Sequence, residues 1–402
     1  MMIRNKKLEE KLRQIMELAV EEKLVAGVNL LVWEDGRELV YSQAGLADRE
    51  NNKKINRNTI FRLYSMSKPI TAAAAMILME RGLLDLYEPV SKFLPEYADV
   101  KVAAENGLVS PQREMLVGDL LSMTSGLVYP DEATVSGKTT DLVYQELDRR
   151  LYSENPMTTR ELAKNLASCP LAFTPGSSWQ YGTSADVLAA VIEVISERKF
   201  SEFLDEEIFM PLEMRDTGFW VPEEKQERLA KAYETVMLPN GKNDMVLYTG
   251  NHLGVCNDMT SSPAYEAGGA GLVSTLDDYM KFAGMLLGEG FFDGVRILQP
   301  ETVRYMCSRE LMPAQQAAMD TWMGLEGHSY GNFMRVCKNP SKSKMLVREG
   351  EYGWDGWLGM YFANFPNEKM TMLIGTQKKD GGTFSLTRKL RNTILSAIEY
   401  AK

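Results

Sequence analysis

The sequence predicts an α+β fold, with one antiparallel sheet built from both ends of the chain, flanked by helices, and a mainly helical inserted region. Two observations predict it: strand-like runs occur near both termini, and helical patterns fill the middle of the chain. A third is the Asp35-Gly36 pair between the first two strand-like runs, which is typical of a two-residue hairpin turn. We expect a binding site in the cleft between the sheet and the helical region.

The amino-terminal part of the chain predicts a helix, a hairpin and a second helix. The first helix is indicated by an apolar stripe at helical spacing, formed by Leu8, Leu12, Ile15, Met16, Ala19 and Val20. This stretch lacks the apolar core of a signal peptide, so we expect it to belong to the folded protein. The run "GVNLLVWEDGRELVYSQAG" then forms the hairpin. A buried helix is predicted from about Met66 to Arg81, with Gly82 as its stop.

The middle of the chain, roughly residues 83–261, predicts loops and helices without a strand pair. From "GGAGLVSTLDDYMKFAGMLLGEG" onward, another helix is followed by the strand-like runs "GNFMRVC", "WLGMYFANF" and "KMTMLIGTQ". The last two runs are separated by Pro366-Asn367-Glu368 and predict a second hairpin. A closing helix is predicted from about Thr383 to Tyr400.

The length of 402 residues allows one large domain or two interleaved ones. We predict a single unit, in which an α/β region of residues 1–64 plus 262–402 packs against a helical region of residues 65–261.

Composition narrows the range of partners and compartments. The net charge of −10 repels polyanions, so nucleic acid is not expected as a partner. The four cysteines lie in no C-x-x-C pair and have no histidine near enough for a zinc site, so we interpret them as reduced thiols. The longest apolar run, Pro69 to Met79, is too short to span a bilayer. We therefore expect a cytoplasmic protein with no membrane partner, and the oligomeric state is left open.

The segment "FRLYSMSKPITAAAAMILMERG" places polar groups at the head of an apolar helix. Because Pro69 is tolerated only in the first turn, the helix is predicted to begin near Met66. Ser65 then lies where unpaired backbone N–H groups favour negative charge. Lys68 follows one turn later on the same face, and burial there would lower its pKa and make it a base. A hydroxyl beside a base is an activated nucleophile.

The S-x-x-K spacing alone leaves a structural alternative open, in which Ser65 caps the helix and Lys68 extends its ammonium to water. The spacing also occurs at Ser196–Lys199, at the tail of an amphipathic helix, and at Ser341–Lys344, in a polar turn. Only Ser65 heads a buried helix, which favours it as the reactive serine.

Other catalytic motifs are weaker. The chain has only two histidines, His252 and His328, so a Ser-His-Asp triad would have to use one of them, and there is no G-x-S-x-G turn. The run "SGKTT" resembles the end of a phosphate-binding loop, but Glu132 stands where that loop requires glycine.

Five blocks of the sequence resemble one known family. They are "FRLYSMSKPITAAAAMILMERGLLDLYEPVSKFLPEY", "LLSMTSGL", "TPGSSWQYGTSADVLAAVIE", "GGAGLVSTLDDYMKFAGMLL" and "GWDGWLGMYFANFPNEKMTMLIGTQ". Through them the chain resembles the serine β-lactamase-like hydrolases of the class C type, especially their esterase branch, together with related penicillin-binding proteins and acyltransferases. The resemblance runs from about residue 8 to 398 and implies the β-lactamase/transpeptidase-like fold.

The resemblance implies a role for three residues. Ser65 is the acyl-accepting nucleophile, and Lys68 is its general base. Tyr181 stands where the family has the tyrosine of Y-x-N, which passes a proton to the leaving group and activates water. The alternative for Tyr181 is a half-buried tyrosine that caps the helix starting at Ser184. A literal Y-x-N at Tyr330–Asn332 lies in a strand-like run and is interpreted as a decoy.

The resemblance also implies a strand edge beside the nucleophile. Trp354-Asp355-Gly356 falls where the family carries K-T-G or W-x-G. By position, the backbone N–H of Trp357 would join that of Ser65 as an oxyanion hole.

Departures from the family pattern bear on specificity. Tyr181-Gly182-Thr183 lacks the asparagine of Y-x-N. In the block "LLSMTSGL", Met123 replaces a histidine that is common in the family. Trp354 replaces the lysine that anchors a β-lactam carboxylate, and Asp355 adds a negative charge that would repel one. The expected substrate is therefore a neutral or hydrophobic ester.

Taken together, the sequence predicts a serine hydrolase that cleaves carboxylic esters through an acyl-enzyme, without a metal or organic cofactor. The alternatives are an acyltransferase on the same fold, a weak β-lactamase or D-amino peptidase, and a non-catalytic ligand-binding relative.

Overall fold

The computed structural model describes residues 6–397. The predicted helix over Thr383–Tyr400 therefore extends at its end beyond the described residues. The described α-helices are α1 (Lys6–Glu21), α2 (Lys68–Glu80), α3 (Val117–Leu121), α4 (Val135–Arg150), α5 (Thr159–Leu166), α6 (Ser184–Ser196), α7 (Phe200–Leu204), α8 (Leu276–Leu287), α9 (Pro300–Ser308), α10 (Pro313–Met319) and α11 (Ser385–Ser396).

The strands lie at both ends of the chain and, in shorter pairs, between them. They are β1 (Gly27–Glu34), β2 (Arg37–Asp48), β3 (Lys53–Lys54), β4 (Phe61–Arg62), β5 (Val102–Ala104), β6 (Gly107–Val109), β7 (Ala232–Met237), β8 (Asn243–Tyr248), β9 (Val273–Ser274), β10 (Phe291–Phe292), β11 (Val295–Arg296), β12 (His328–Gly331), β13 (Met334–Cys337), β14 (Tyr352–Asp355), β15 (Tyr361–Phe365) and β16 (Met370–Gly375).

The main sheet has eight strands in the order β12-β13-β14-β15-β16-β1-β2-β3, and every neighbouring pair is antiparallel. The two termini meet at its centre, where Leu31 of β1 pairs with Leu373 of β16. Side chains of these strands alternate between two faces. Leu30 packs with α1 and α11 on one face, while Leu31 packs into the large core that contains α2 and α6 on the other. The predicted α+β fold class is thus confirmed.

The first predicted hairpin is confirmed at its turn. Asp35 and Gly36 have φ angles of 51° and 77°, so both adopt the left-handed conformation that a type I′ hairpin turn requires. The second predicted hairpin is also confirmed, because β15 and β16 pair across residues 366–369.

The helix that follows Ser65 is buried nearly all round, as predicted. Its alanines Ala72–Ala75 have no exposed surface, and these small side chains let α6 approach closely. The helix begins two residues later than predicted, at Lys68, after a 3₁₀ turn over Tyr64–Ser67. It stops before Gly82, whose φ of 69° ends the helical path.

The prediction that the middle of the chain holds no strand pair was wrong. β5 pairs with β6, and β7 pairs with β8. The first pair is only three residues long on each side and mostly exposed, which leaves little hydrophobic pattern to detect. The second pair surrounds Asn240-Gly241, a turn signal that should have predicted it.

The apolar core is continuous between the two predicted regions, since one cluster of buried side chains includes Leu31, Ile70, Leu188 and Leu373. The division of the chain into an α/β region and a helical region, with boundaries at residues 64/65 and 261/262, stays a prediction. Among residues 6–397, no helix combines the length and apolarity needed to cross a bilayer.

Candidate active site

Ser65 lies at the junction between the short strand β4 and helix α2. β4 is fixed by its pairing with β9, and the 3₁₀ turn that follows carries Ser65 to the amino end of the helix. The preceding residue, Tyr64, is buried and has a φ of 46°, a left-handed conformation that is uncommon for a bulky side chain. Such strain is found where surrounding packing holds a functional residue in place.

The side-chain nitrogen of Lys68 lies beside the Ser65 hydroxyl, as the S-x-x-K spacing predicted. Lys68 Nζ donates hydrogen bonds to Ser65 Oγ at 3.2 Å, to the Tyr129 hydroxyl at 3.0 Å and to the Gly269 carbonyl oxygen at 2.7 Å. Lys68 has no exposed surface. The alternative in which Lys68 extends to water therefore does not describe this structure.

Burial decides the charge of Lys68. It lowers the pKa of the amine to about 7, against an opposing effect from the carboxylates of Asp186 and Asp355. Asp186 accepts hydrogen bonds from the Gly269 amide at 2.9 Å and from the Tyr265 hydroxyl at 2.8 Å. At neutral pH a large share of Lys68 is thus uncharged and able to take up a proton.

The backbone of Gly269 passes through the narrow space between Lys68 and Asp186. A Cβ atom at residue 269 would lie 3.2 Å from Lys68 Nζ and 3.1 Å from the nearer Asp186 oxygen. Glycine therefore allows its carbonyl and amide groups to hold the lysine and the carboxylate at once.

Tyr181 faces both Lys68 and the strand edge. Its hydroxyl accepts a hydrogen bond from Trp354 Nε1 at 2.9 Å, and Lys68 Nζ lies 4.7 Å from the centre of its ring. Burial raises the pKa of Tyr181 above its ordinary value, and the Ser65 hydroxyl and Trp354 oppose the rise. Tyr181 is therefore protonated at neutral pH, whereas the uncharged amine of Lys68 is able to accept a proton.

The residues at the end of β14 line the other side of the site. Trp354 is buried, and its indole N–H is used by Tyr181, so this side chain offers a substrate only apolar surface. The Asp355 carboxylate accepts a hydrogen bond from the Thr383 hydroxyl, and burial raises the pKa of Asp355.

The turn after β14 packs closely against the chain segment that leads to Ser65. A Cβ atom at Gly356 would lie 2.2 Å from the carbonyl oxygen of Leu63, so only glycine fits there. The Trp357 side chain stacks on His252 with ring centres 4.0 Å apart, and its indole N–H donates to Asp380 at 2.7 Å. This arrangement brings Trp357 to the cavity wall, while the oxyanion role of its backbone N–H stays a prediction.

These groups line a cavity of about 550 Å³ that opens at Ser65. Its wall residues include Ser65, Tyr129, Tyr144, Tyr181, Trp322, Trp354, Asp355, Gly356 and Trp357. A larger groove of about 1170 Å³, between α8, α9 and neighbouring strands, contains none of the predicted site residues.

Sequence reasoning missed three contributors to the site. Tyr129 follows the "LLSMTSGL" block, and nothing in its spacing predicts that it meets Lys68. Asp186 could have been noticed, because it is a carboxylate within the apolar helix pattern "SADVLAAVIEV". Trp322, with its ring centre 5.1 Å from that of Tyr181, lies far away in sequence and carries no local signal.

The competing motifs lie elsewhere. Ser341 is exposed, and Ser196 ends α6. The run "SGKTT" lies within α4 and cannot form a phosphate-binding loop. Tyr330, the tyrosine of the literal Y-x-N, is buried in the sheet and packs edge-on against Trp354 at 5.0 Å between ring centres.

Comparison with known proteins assigns the chain to a family. The family model described as Beta-lactamase matches residues 8–394. The chain belongs to the beta-lactamase family. This family member is 33% identical to Protein Rv1367c of Mycobacterium tuberculosis (strain ATCC 25618 / H37Rv), over 84% of this chain and 81% of that protein. It is 29% identical to Esterase EstB of Burkholderia gladioli, over 96% of this chain and 95% of that enzyme.

A solved structure shares the fold of this beta-lactamase family member. It is described as EstCE1, a hydrolase with promiscuous acyltransferase activity, and it superposes with a TM-score of 0.78 at 24% identity. The similarity covers 97% of this chain and 98% of that one. The family and fold expected from the sequence blocks are thus confirmed.

The hydrogen bond from Trp354 to Tyr181 gives a testable prediction. We expect Trp354→Phe to lower kcat on a neutral ester by about threefold to tenfold, because it removes one hydrogen bond that orients Tyr181. Phenylalanine retains one aromatic ring but is smaller than the buried indole, so a lower melting temperature by a few degrees is part of the expected result. The matched control is Trp220→Phe, because Trp220 is a partly exposed tryptophan outside the cavity. Equal kcat values for Trp354→Phe and Trp220→Phe would contradict this role.

Proposed function

We propose that this chain is a serine hydrolase that cleaves neutral carboxylic esters through an acyl-enzyme on Ser65. The observation that carries the proposal is the 3.2 Å contact between Lys68 Nζ and Ser65 Oγ, made by a fully buried lysine whose pKa is lowered to about 7. A nucleophile with an adjacent base of matched pKa is what acyl transfer requires. Esterase EstB, similar over nearly the whole chain, supports the ester as substrate.

The first half of the reaction transfers the acyl group. Lys68 takes the Ser65 proton while Ser65 Oγ attacks the ester carbonyl carbon. The backbone N–H groups of Ser65 and Trp357 stabilise the resulting oxyanion. As the carbonyl re-forms, the bond to the alcohol oxygen breaks, and Tyr181 passes a proton to that oxygen. Lys68, which holds the proton taken from Ser65, then returns a proton to Tyr181 and is again uncharged.

The second half returns the enzyme to its starting state. A water molecule attacks the acyl carbon, and the uncharged amine of Lys68 receives its proton, because Tyr181 is already protonated. The bond to Ser65 Oγ then breaks, Ser65 regains a proton, and the carboxylic acid leaves.

The cavity lining at the end of β14 favours neutral substrates. Trp354 offers apolar surface because its N–H is bound to Tyr181, and Asp355 adds negative charge. A substrate carboxylate would meet repulsion there in place of an anchoring cation. We propose a small-molecule ester as the partner and the cytoplasm as the compartment.

Acyl transfer to a second alcohol or amine is the alternative, since it shares the first half-reaction. The cavity of about 550 Å³ exceeds the volume of a short acyl group and leaves room for an acceptor. Product analysis after incubation with an acyl ester and a panel of alcohols and amines distinguishes the two: free acid indicates hydrolysis, and a new ester or amide indicates transfer.

The test of the proposed function uses three reagents on the wild-type protein. We expect turnover of p-nitrophenyl butyrate, slow or no turnover of nitrocefin, and labelling by a fluorophosphonate probe at Ser65. Absence of both ester turnover and labelling in folded protein would support the non-catalytic alternative. Nitrocefin turnover faster than ester turnover would favour the β-lactamase alternative.

The pKa of Lys68 predicts the pH dependence of acylation. Only the uncharged amine accepts a proton, so kcat/KM on p-nitrophenyl butyrate should rise with pH below about 7 and level off above it. Asp186 stabilises the ammonium, and its neutralisation in Asp186→Asn should therefore move the inflection to lower pH. An inflection near the ordinary lysine value, or one unmoved by Asp186→Asn, would contradict the assignment of Lys68 as base.

A further inference from the structure

We propose that His252 is a positioning residue for the oxyanion hole, and that it aligns the hole by packing on the two chain segments that carry the N–H donors. This inference adds a residue to the site described above and rests on the proposed ester hydrolysis. The proposed mechanism uses Lys68 as the base and gives no role to His252, one of the two histidines of the chain.

The imidazole of His252 contacts the side chains beside both donors. It is stacked on the ring of Trp357, with ring centres 4.0 Å apart and planes 22° from parallel. It also packs against Tyr64, the residue before Ser65, at 5.9 Å between ring centres. Tyr64 and Trp357 in turn meet edge to face at 5.0 Å. The three rings therefore form one cluster that joins the two segments of the oxyanion hole.

The turn that carries the second donor is shaped by its own hydrogen bonds. The Gly356 carbonyl oxygen accepts from the Gly359 N–H at 2.8 Å, and the Gly356 N–H donates to the Met360 carbonyl oxygen at 2.8 Å. In a trans peptide the N–H points away from the carbonyl, so the first bond fixes the direction of the Trp357 N–H. This N–H donates to no backbone acceptor within residues 6–397, and it can therefore donate to a substrate oxygen.

The place of this turn relative to Ser65 depends on contacts with other segments. The Trp357 indole N–H donates to Asp380 at 2.7 Å, and the Trp357 carbonyl oxygen accepts from the Gly381 N–H at 2.8 Å. Both partners belong to the segment after β16, whereas His252 belongs to the segment after β8. The stack on His252 is therefore a contact with a different part of the chain, and it extends to Tyr64 beside the nucleophile.

The turn that carries His252 is itself held in place. The His252 N–H donates to the Val255 carbonyl oxygen at 3.3 Å, and the reverse bond measures 3.1 Å. Leu253 and Gly254 between them have φ angles of 53° and 69°, as a type I′ turn requires. A Cβ atom at Gly254 would lie 2.3 Å from the Leu147 side chain, so the turn packs directly on α4. The imidazole thus has a fixed support before a substrate binds.

The imidazole presents a flat and uncharged surface to Trp357. Burial lowers the pKa of His252 to about 4, against an opposing effect from the Asp380 carboxylate, so the ring is neutral at neutral pH. Phenylalanine at this position would reproduce the flat, neutral ring without the nitrogen atoms. Alanine would remove the ring and leave one face of the Trp357 indole without its contact.

The test compares variants of His252 on p-nitrophenyl butyrate. We expect His252→Ala to lower kcat about tenfold and to change KM by less than about twofold, because a misplaced donor weakens binding of the transition state more than binding of the ester. His252→Phe should keep kcat within about twofold of the wild type. If His252→Ala is unstable, His252→Leu fills the space without a flat ring and should show the same loss. Met237→Ala, at an exposed site on β7, is the control and should keep the wild-type kcat.

Two ketones separate a misplaced donor from a general loosening of the site. With trifluoromethyl butyl ketone, Ser65 Oγ bonds to the carbonyl carbon, the Ser65 proton passes to Lys68, and the carbonyl oxygen becomes an oxyanion in the hole. Methyl butyl ketone has a similar shape and binds without this addition. His252→Ala should raise the inhibition constant of the trifluoromethyl ketone about tenfold and leave that of the methyl ketone unchanged. His252→Phe should leave both constants unchanged.

The possible failures are distinguishable. Wild-type kcat and wild-type affinity for the trifluoromethyl ketone in His252→Ala would overturn the inference. A loss in His252→Phe as large as that in His252→Ala would also overturn it, since the nitrogen atoms and not the ring would then matter. In both cases ester hydrolysis through Ser65 stands. If the wild-type protein neither hydrolyses the ester nor carries an acyl group on Ser65, the proposed function fails and the inference fails with it.

Discussion

Replacing Ser65 with alanine is expected to lower kcat/KM on p-nitrophenyl butyrate by about 10⁴-fold or more, because the variant has no atom that can hold the acyl group. The structure predicts little effect on folding, because the change deletes one hydroxyl, which accepts a hydrogen bond from Lys68 and also interacts with Tyr181. Thermal unfolding should therefore remain cooperative and close to that of the wild type.

The chain supplies a matched control for this substitution. Ser341 belongs to another S-x-x-K sequence but is exposed and lies in a turn away from the cavity. Ser341→Ala should keep wild-type turnover. Ester hydrolysis by Ser65→Ala at more than a few per cent of the wild-type rate would mean that another group is the nucleophile.

Replacing Lys68 with methionine is expected to lower kcat/KM by about 10³-fold, the usual contribution of a general base. Methionine has a similar length and suits a site with no solvent exposure, so it removes the amine while largely retaining the packing. The variant also removes hydrogen bonds to Tyr129 and Gly269, which makes a moderate loss of stability part of the expected result.

The pH profile separates loss of the base from loss of structure. In Lys68→Met the residual activity should no longer show the inflection near pH 7 that the lysine pKa predicts. Lys344→Met, at the exposed S-x-x-K sequence, should leave both rate and profile unchanged. An inflection that persists in Lys68→Met would assign the titration to another residue and contradict the mechanism.

The sequence was sufficient where local chemistry determines the structure. The Asp35-Gly36 turn, the apolar stripe of α1 and the wholly apolar helix after Ser65 each follow from spacing and composition over a few residues. The Ser65–Lys68 pair belongs to the same class, since one helical turn sets its geometry.

The parts that sequence alone left open depend on contacts between distant segments. Tyr129 reaches Lys68 across 61 residues, and Trp354 reaches Tyr181 across 173. Sequence analysis noted only that Trp354 replaces a lysine of the family pattern. Its hydrogen bond to Tyr181 follows from no property of the tryptophan itself. The hydrogen bonds of Asp186 likewise come from two residues of a distant loop.

The acyl-enzyme is the centre of this account, and mass spectrometry tests it most directly. Wild-type protein is mixed with p-nitrophenyl butyrate, quenched in acid within the first turnovers, and analysed intact and after proteolysis. The account predicts a mass increase of one butyryl group, located on the peptide that contains Ser65 and absent from Ser65→Ala. Rapid ester hydrolysis with the butyryl group on another residue, or with Ser65→Ala acylated to the same extent, would contradict it.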